Sequence, residues 1–266
     1  MPLEIVVCIK QVPDPEHFSE ITLDPVTQVI RREGIPSIIN PLDRHALEEG
    51  LRIREKFSGK VTAISMGPPQ AREALEESLA IGADDAVLLC DKAFAGADTL
   101  ATAYALAAGI QKLGRFDLIL CGNETVDGAT GQVGPQLAEL LDISHITHVN
   151  EIEFIDETSL TARQALEYGY LRVQVKLPAL LSVIKGINKF RLPTALAIVK
   201  AARREIKSWG CADTGLEKDN IGLSGSPTHV VGVFEHKFKR RGEILEGEPQ
   251  EVAKKVVVRL RELGVI

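Results

Sequence analysis

The stretch Gly122-Asn123-Glu124-Thr125-Val126-Asp127-Gly128-Ala129-Thr130-Gly131-Gln132-Val133-Gly134-Pro135 holds the residues best suited to chemistry in this chain. It follows an apolar run, Phe116 to Cys121, that reads as a buried strand. It precedes Gln136-Leu137-Ala138-Glu139-Leu140-Leu141, which reads as a helix. Glycines let a backbone approach a ligand closely. Free N–H groups at a helix start point outward, and the helix dipole favours negative charge there. The chemistry this suggests is phosphate binding. The stretch matches neither a P-loop nor a Gly-x-Gly-x-x-Gly pattern, and an ordinary loop between strand and helix also carries Gly and Asp.

Other loops converge on the same edge if the strands are parallel. They carry Cys8-Ile9-Lys10, Ser65-Met66-Gly67-Pro68 and the run from Cys90 to Thr99. Asn40-Pro41-Leu42-Asp43 precedes the first helix near that edge. Small residues, amides and hydroxyls dominate, with no Ser-His-Asp set and no compact acid pair. Such a set suits holding a nucleotide rather than hydrolysing one, which needs a positioned base or metal.

The elements that must position these loops alternate over the first 145 residues. Strands are expected at Leu3 to Ile9, Lys60 to Met66, Asp85 to Cys90 and Phe116 to Cys121. Helices are expected at Leu42 to Arg54 with Asp43 as N-cap, Arg72 to Ile81, Asp98 to Leu113 and Gln132 to Leu141. Continuous apolar strands between amphipathic helices predict an α/β fold, a doubly wound, mostly parallel sheet covered on both faces. After about residue 145 the pattern changes. Val149 to Phe154, Ser159 to Leu166, Tyr170 to Val175 and Ala179 to Val183 read as added antiparallel strands. Thr194 to Ala202 reads as a short helix, Arg203 to about Pro227 as irregular, and Glu248 to Leu263 as an amphipathic helix with Val252, Val256, Val257, Leu260 and Leu263 on one side. The expected division is a nucleotide-binding domain over 1–184 and, over 185–266, a docking loop, a C-terminal arm and a terminal helix lying on another subunit. A loosely packed connector is the other reading of that tail.

Composition sets bounds. The 266 residues are 45% apolar and 26% charged, with a net charge of -6. That balance argues against nucleic acid as partner. The basic run Lys237-Phe238-Lys239-Arg240-Arg241 reads as a solvated loop. The N-terminus enters a strand directly, without the features of a signal peptide, and no apolar run reaches the ~20 residues a membrane span requires. Cys8, Cys90, Cys121 and Cys211 are scattered and read as reduced thiols of a cytoplasmic protein. His145 and His148 have no third ligand nearby in the sequence, so no metal site is expected.

These residues resemble a family, the β subunit of electron-transfer flavoprotein. The likeness rests on Cys-Ile-Lys-Gln-Val-Pro-Asp at 8–14, Asn-Pro-Leu-Asp at 40–43, Ala-Ile-Ser-Met-Gly-Pro at 63–68, the turn from Asp127 to Pro135 and Lys-Leu-Pro-Ala at 176–179. The resemblance implies an adenine nucleotide α-hydrolase-like fold and a heterodimer with an α subunit that binds the main FAD. It also implies AMP in this subunit or, in the electron-bifurcating branch, a second FAD in its place. Ala93 to Thr102 and Gln132-Val133-Gly134-Pro135 look like the bifurcating branch. Where the AMP-only branch carries a Tyr near the α-subunit flavin, this chain has Pro15.

Carried over residue by residue, the adenosine phosphate end touches Cys8, Asn40, Asp43, Met66, Thr125, Asp127, Thr130, Gly131, Gln132, Val133 and Gly134, with Gly122 and Val126 in the same turn. The flavin end reaches toward Asp98, Thr99 and Thr102. The resemblance further implies NAD(H) as redox partner, a low-potential carrier such as ferredoxin or flavodoxin, and a dehydrogenase. Members that dock acyl-CoA dehydrogenases carry Asn-Glu-Pro-Arg-Tyr in the docking loop. Here it is Asn188-Lys189-Phe190-Arg191-Leu192, so the dehydrogenase partner stays open. Two alternatives remain: a structural subunit that binds AMP, and a universal-stress-type nucleotide module, against which the long tail argues.

Overall fold

Leu3, Ile5, Val7 and Ile9 face one side of the first strand and Val6 and Cys8 the other, and each set is buried in a different core. A strand apolar on both faces needs helices on both faces. The computed structural model describes residues 2–20, 22–23, 30–31, 34–156, 158–231 and 242–266. Its elements are β1 (Leu3–Cys8), β2 (Gln11–Pro13), β3 (Thr22–Leu23), β4 (Ile30–Arg31), β5 (Ser37–Ile39), α1 (Pro41–Phe57), β6 (Gly59–Met66), α2 (Arg72–Ile81), β7 (Asp85–Leu89), α3 (Thr99–Leu113), β8 (Leu118–Gly122), α4 (Val133–Leu140), β9 (Ser144–Ile155), β10 (Ser159–Leu166), β11 (Gly169–Lys176), β12 (Ala179–Val183), α5 (Ala195–Ala201), β13 (Lys207–Trp209), α6 (Cys211–Thr214) and α7 (Pro249–Glu262).

The main sheet runs β11-β10-β9-β12-β8-β1-β6-β7-β13. From β9 to β13 every neighbour pair is parallel. Only β10 and β11 are added antiparallel. Helices α1 and α2 bury Ala46, Leu47, Leu51 and Leu75 on one face; α3 and α4 bury Ala103, Leu106, Ile110 and Leu137 on the other. The doubly wound, mostly parallel sheet expected from the sequence is present, and the ends of β1, β6, β7, β8 and β12 share one edge.

Three local expectations are corrected. β12 is a parallel strand wedged between β8 and β9, not an antiparallel addition. All five of its residues are buried, as the interior of a parallel sheet requires. Asp43 is not the N-cap of α1: Asn40 is, with proline at the helix start, and Asp43 sits inside the first turn. The stretch after Arg203 is less irregular than expected, because β13 pairs with β7 and forms the last strand on that side of the sheet.

The chain divides into two compact units, Met1–Val231 and Gly232–Ile266. In the first unit, residues beyond 185 join the cores: Ala201 and Ile206 one, Leu216 and Ile221 the other. In the second unit, α7 buries none of its residues. There, Arg259 pairs with Glu243 and Glu262. Val233 and the basic run 237–241 lie outside the described residues. Among the described residues no helix is long and apolar enough to cross a membrane.

Candidate functional site

One helical turn ties the edge together. Asn40, fully buried, donates from Nδ2 to the Glu124 carbonyl at 3.0 Å and accepts the Val126 N–H at 3.2 Å. Asp43 accepts the N–H of Lys10 at 2.8 Å and of Gly122 at 2.9 Å. The start of α1 thus fixes the ends of β1 and β8 and the turn beyond β8. Gly122 must be glycine for this, since a Cβ there would lie 2.5 Å from Asp43 Oδ1 and 2.7 Å from Leu42 Cβ. Burial pushes the Asp43 carboxyl up to about 6, against the opposing pull of the Lys10 and Gly122 N–H groups. Burial also pushes the Cys8 thiol up to about 12 and raises Cys121 strongly. Both thiols stay neutral. Neither is a nucleophile, because the thiolate is the reactive form. All four cysteines are free.

The turn itself is held by Lys10, whose Nζ lies 2.8 Å and 2.9 Å from the two Asp127 oxygens. The Ala129 N–H bonds the Thr125 carbonyl at 2.8 Å. Thr130 is exposed, and Gly131 follows with φ +63, a conformation that favours glycine. A Cβ at 131 would meet no protein atom nearer than the Asn123 carbonyl at 3.6 Å. Gln132 is the N-cap of α4 but its side chain makes no capping hydrogen bond to the helix, so Val133 and Gly134 start a helix without a side-chain cap. Gly134 has a packing role: a Cβ there would lie 3.2 Å from Cys121 Sγ and 3.5 Å from Leu180 Cδ2. An open glycine corner followed by an uncapped helix start fits a phosphate group.

The third part is the start of α3. Asp98 caps it, accepting from Leu100 and Ala101 N–H at 3.0 Å. Its other oxygen accepts the Thr228 N–H at 3.0 Å. Burial raises this carboxyl, but the Ala101 and Thr228 donors outweigh it and hold it below its ordinary range. Thr99 Oγ1 donates to Gln132 Oε1 at 3.0 Å, joining the starts of α3 and α4. Thr102 is half-buried one turn along α3, and Met66 is half-buried at the end of β6. The edge therefore unites Asn40, Asp43, Lys10, Gly122, the 125–134 turn and Thr99. The Asp98 carboxylate is instead spent on its helix and on the 226–228 segment.

Two participants were not singled out from sequence. Lys10 was visible only as part of a loop. Ser226, whose Oγ accepts the Asp98 N–H at 2.8 Å, carries no local signal, since its partner is 128 positions away.

The loop after β12 is anchored on the middle of α1. Arg191 Nε lies 2.9 Å from the buried Glu48 carboxylate, and the same guanidinium pairs with Glu55. Burial raises the Glu48 carboxyl, but Arg191 outweighs it and lowers it below the ordinary value. Asn188 Nδ2 donates to the His45 carbonyl and to Glu49, both at 2.9 Å. The Phe190 ring stands edge-on to His45 at 5.2 Å. Phe190 therefore belongs to the anchor as well as to the surface.

Comparison with known proteins bears on this arrangement. Residues 27–214 match the model of the electron transfer flavoprotein domain. The chain is 49% identical to the electron transfer flavoprotein subunit beta of Thermoanaerobacterium thermosaccharolyticum, covering 99% of this chain and 100% of that one. It is 43% identical to protein FixA of Azotobacter vinelandii, over 96% and 93% of the two chains. It is also 43% identical to the caffeyl-CoA reductase-Etf complex subunit CarD of Acetobacterium woodii, over 99% and 100%.

Proposed function

The chain belongs to the electron transfer flavoprotein family as a β subunit, and from that premise we propose that it binds a second FAD and takes part in flavin-based electron bifurcation. In this reading it pairs with an α subunit and works between NAD(H), a low-potential carrier such as ferredoxin or flavodoxin, and a dehydrogenase. Kinship with proteins named FixA and CarD supports the complex-forming part of it. Membership of the family removes the universal-stress reading.

The observation that carries the proposal is the Thr99–Gln132 hydrogen bond at 3.0 Å. It joins the two stretches, 93–102 and 132–135, whose sequence looks like the bifurcating branch. A polar rim then runs from the 125–134 turn to the start of α3. Bound flavin would supply hydride and single-electron chemistry, while the protein supplies position and electrostatics. The N–H groups of Val133 and Gly134 would meet phosphate, and Asn40 and Asp43 would keep the turn in place. Thr99 and Thr102 would line the far end.

One observation favours AMP instead. The Asp98 carboxylate already accepts from Leu100, Ala101 and Thr228, leaving the far end with fewer free polar groups. Acid release from the αβ complex followed by chromatography decides between them. Two FAD and no AMP per heterodimer is expected. One FAD with one AMP would overturn the bifurcating assignment.

A further inference from the structure

The loops after β1, β6, β7 and β8 hold four carboxylates, Asp91, Asp98, Glu124 and Asp127, against two cations, Lys10 and Lys92. The loop after β12 adds Lys185, Lys189 and Arg191 to the edge, but the turn after β8 itself holds Glu124 and Asp127, so an anion brought to that turn meets acid unless a cation stands beside it. Lys10 has that position. Its ammonium faces both oxygens of Asp127, yet its side chain is 44% exposed while that of Asp127 is 15% exposed. The Asp127 side chain is mostly covered although the residue as a whole is exposed, and the cation keeps an open side. The Lys10 backbone is fixed as well: its N–H bonds Asp43 and its carbonyl accepts the Asn40 N–H at 2.9 Å. The same two residues, Asn40 and Asp43, hold the turn that leads to α4.

We propose that Lys10 is a phosphate-binding residue of this site: paired with Asp127 on one side, it presents its open side to a phosphate oxygen at the start of α4. The proposal rests on the nucleotide reading above and adds to it the residue that makes an acid in the turn compatible with an anionic ligand. Asp127 aims the lysine, and the lysine cancels the charge of Asp127. A rotatable ammonium suits this double duty, because it carries three donors on one compact charge.

The test uses the αβ complex. Nucleotide is counted after acid release, and rebinding of added AMP and of added FAD is measured separately after dialysis. Lys10→Met should weaken rebinding about tenfold, equivalent to about 1.4 kcal/mol, and flatten its salt dependence. Lys10→Arg should stay within about threefold of wild type, since it keeps the charge. Lys10→Met combined with Asp127→Asn should recover part of the loss, because the acid charge next to the ligand is removed together with the lysine. Co-purification with the α subunit and circular dichroism verify folding, and Lys10→Gln replaces Lys10→Met if the latter does not assemble. If Lys10→Met, Asp127→Asn and the double variant lose binding equally, the pair is only a staple of the turn and the proposal falls. Unchanged rebinding by Lys10→Met, or by Lys10→Gln in its place, overturns it too. A wild-type complex that releases neither AMP nor a second FAD overturns the nucleotide reading itself, a distinct result.

Discussion

Asp43 keeps an acid at 4% exposure beneath the sheet edge, and this has a pH signature. Its folded value of about 6 stands above the ordinary 3.8, so the protonated form favours the fold. That contribution is complete below about pH 4 and lost as pH rises through about 6. A shift of about two units corresponds to about 3 kcal/mol. Asp43→Asn should therefore show a flatter stability profile than wild type between about pH 4 and 7, measured as urea midpoints of the αβ complex. Parallel profiles would show that Asp43 does not titrate in that window. Gly131 makes a second residue-scale prediction. A Cβ there meets no protein clash, so loss of nucleotide in Gly131→Val would reflect φ +63 and a side chain facing the ligand. Gly215, at φ +68 with nothing within 4 Å, is the control. Gly215→Ala should cost about 1 kcal/mol of stability and leave nucleotide retention alone. Asn40 and Asp43 were legible as edge residues because Asn-Pro-Leu-Asp opens a helix. Their stitching role was not, since their partners lie 84 and 79 positions away.

The loop Asn188 to Arg191 and helix α1 act as one element. Glu48 is buried, and removing Arg191 leaves its charge without its main partner. Breaking a fully buried pair costs roughly 3–5 kcal/mol. Arg191 is 35% exposed, so about 2 kcal/mol is expected for Arg191→Ala. Thermal unfolding and limited proteolysis of the 185–194 loop measure it, and unchanged cleavage would show that Asn188 and Phe190 suffice as anchor. Most helices and interior strands could be read from apolar spacing. β12 was mistaken because Ala179-Leu180-Leu181-Ser182-Val183 follows a hairpin, and direction within a sheet is set by distant partners. β13 escaped because three residues, Lys207 to Trp209, make no periodic signal.

At the scale of the whole molecule, the boundary that matters for partner binding is proposed to fall late. Cutting after Ile184 would remove β13 and the buried Ile206, Leu216 and Ile221, and so would damage the sheet unit itself. Cutting after Val231 removes only the second compact unit. That unit exposes Val256, Val257, Val258, Leu263, Val265 and Ile266, an apolar set that suits an arm lying on the α subunit. The chain cut after Val231 should keep its circular dichroism and lose co-purification with tagged α subunit. Retained co-purification would place the interface on the first unit. The amphipathic helix at the end was legible in sequence; the first unit's reach to Val231 was not, because irregular chain packs as well as regular chain. The strand order β9-β12-β8 also has a consequence for biosynthesis. The middle position is filled by a segment translated after both of its neighbours. At about 5–20 residues per second, the nascent sheet waits seconds with a gap in it. Until β12 is made, β9 and β8 each keep an unfilled hydrogen-bonding edge facing the gap, and β12 is the closing piece that joins the β9-β10-β11 meander to the β8-β1-β6-β7 block.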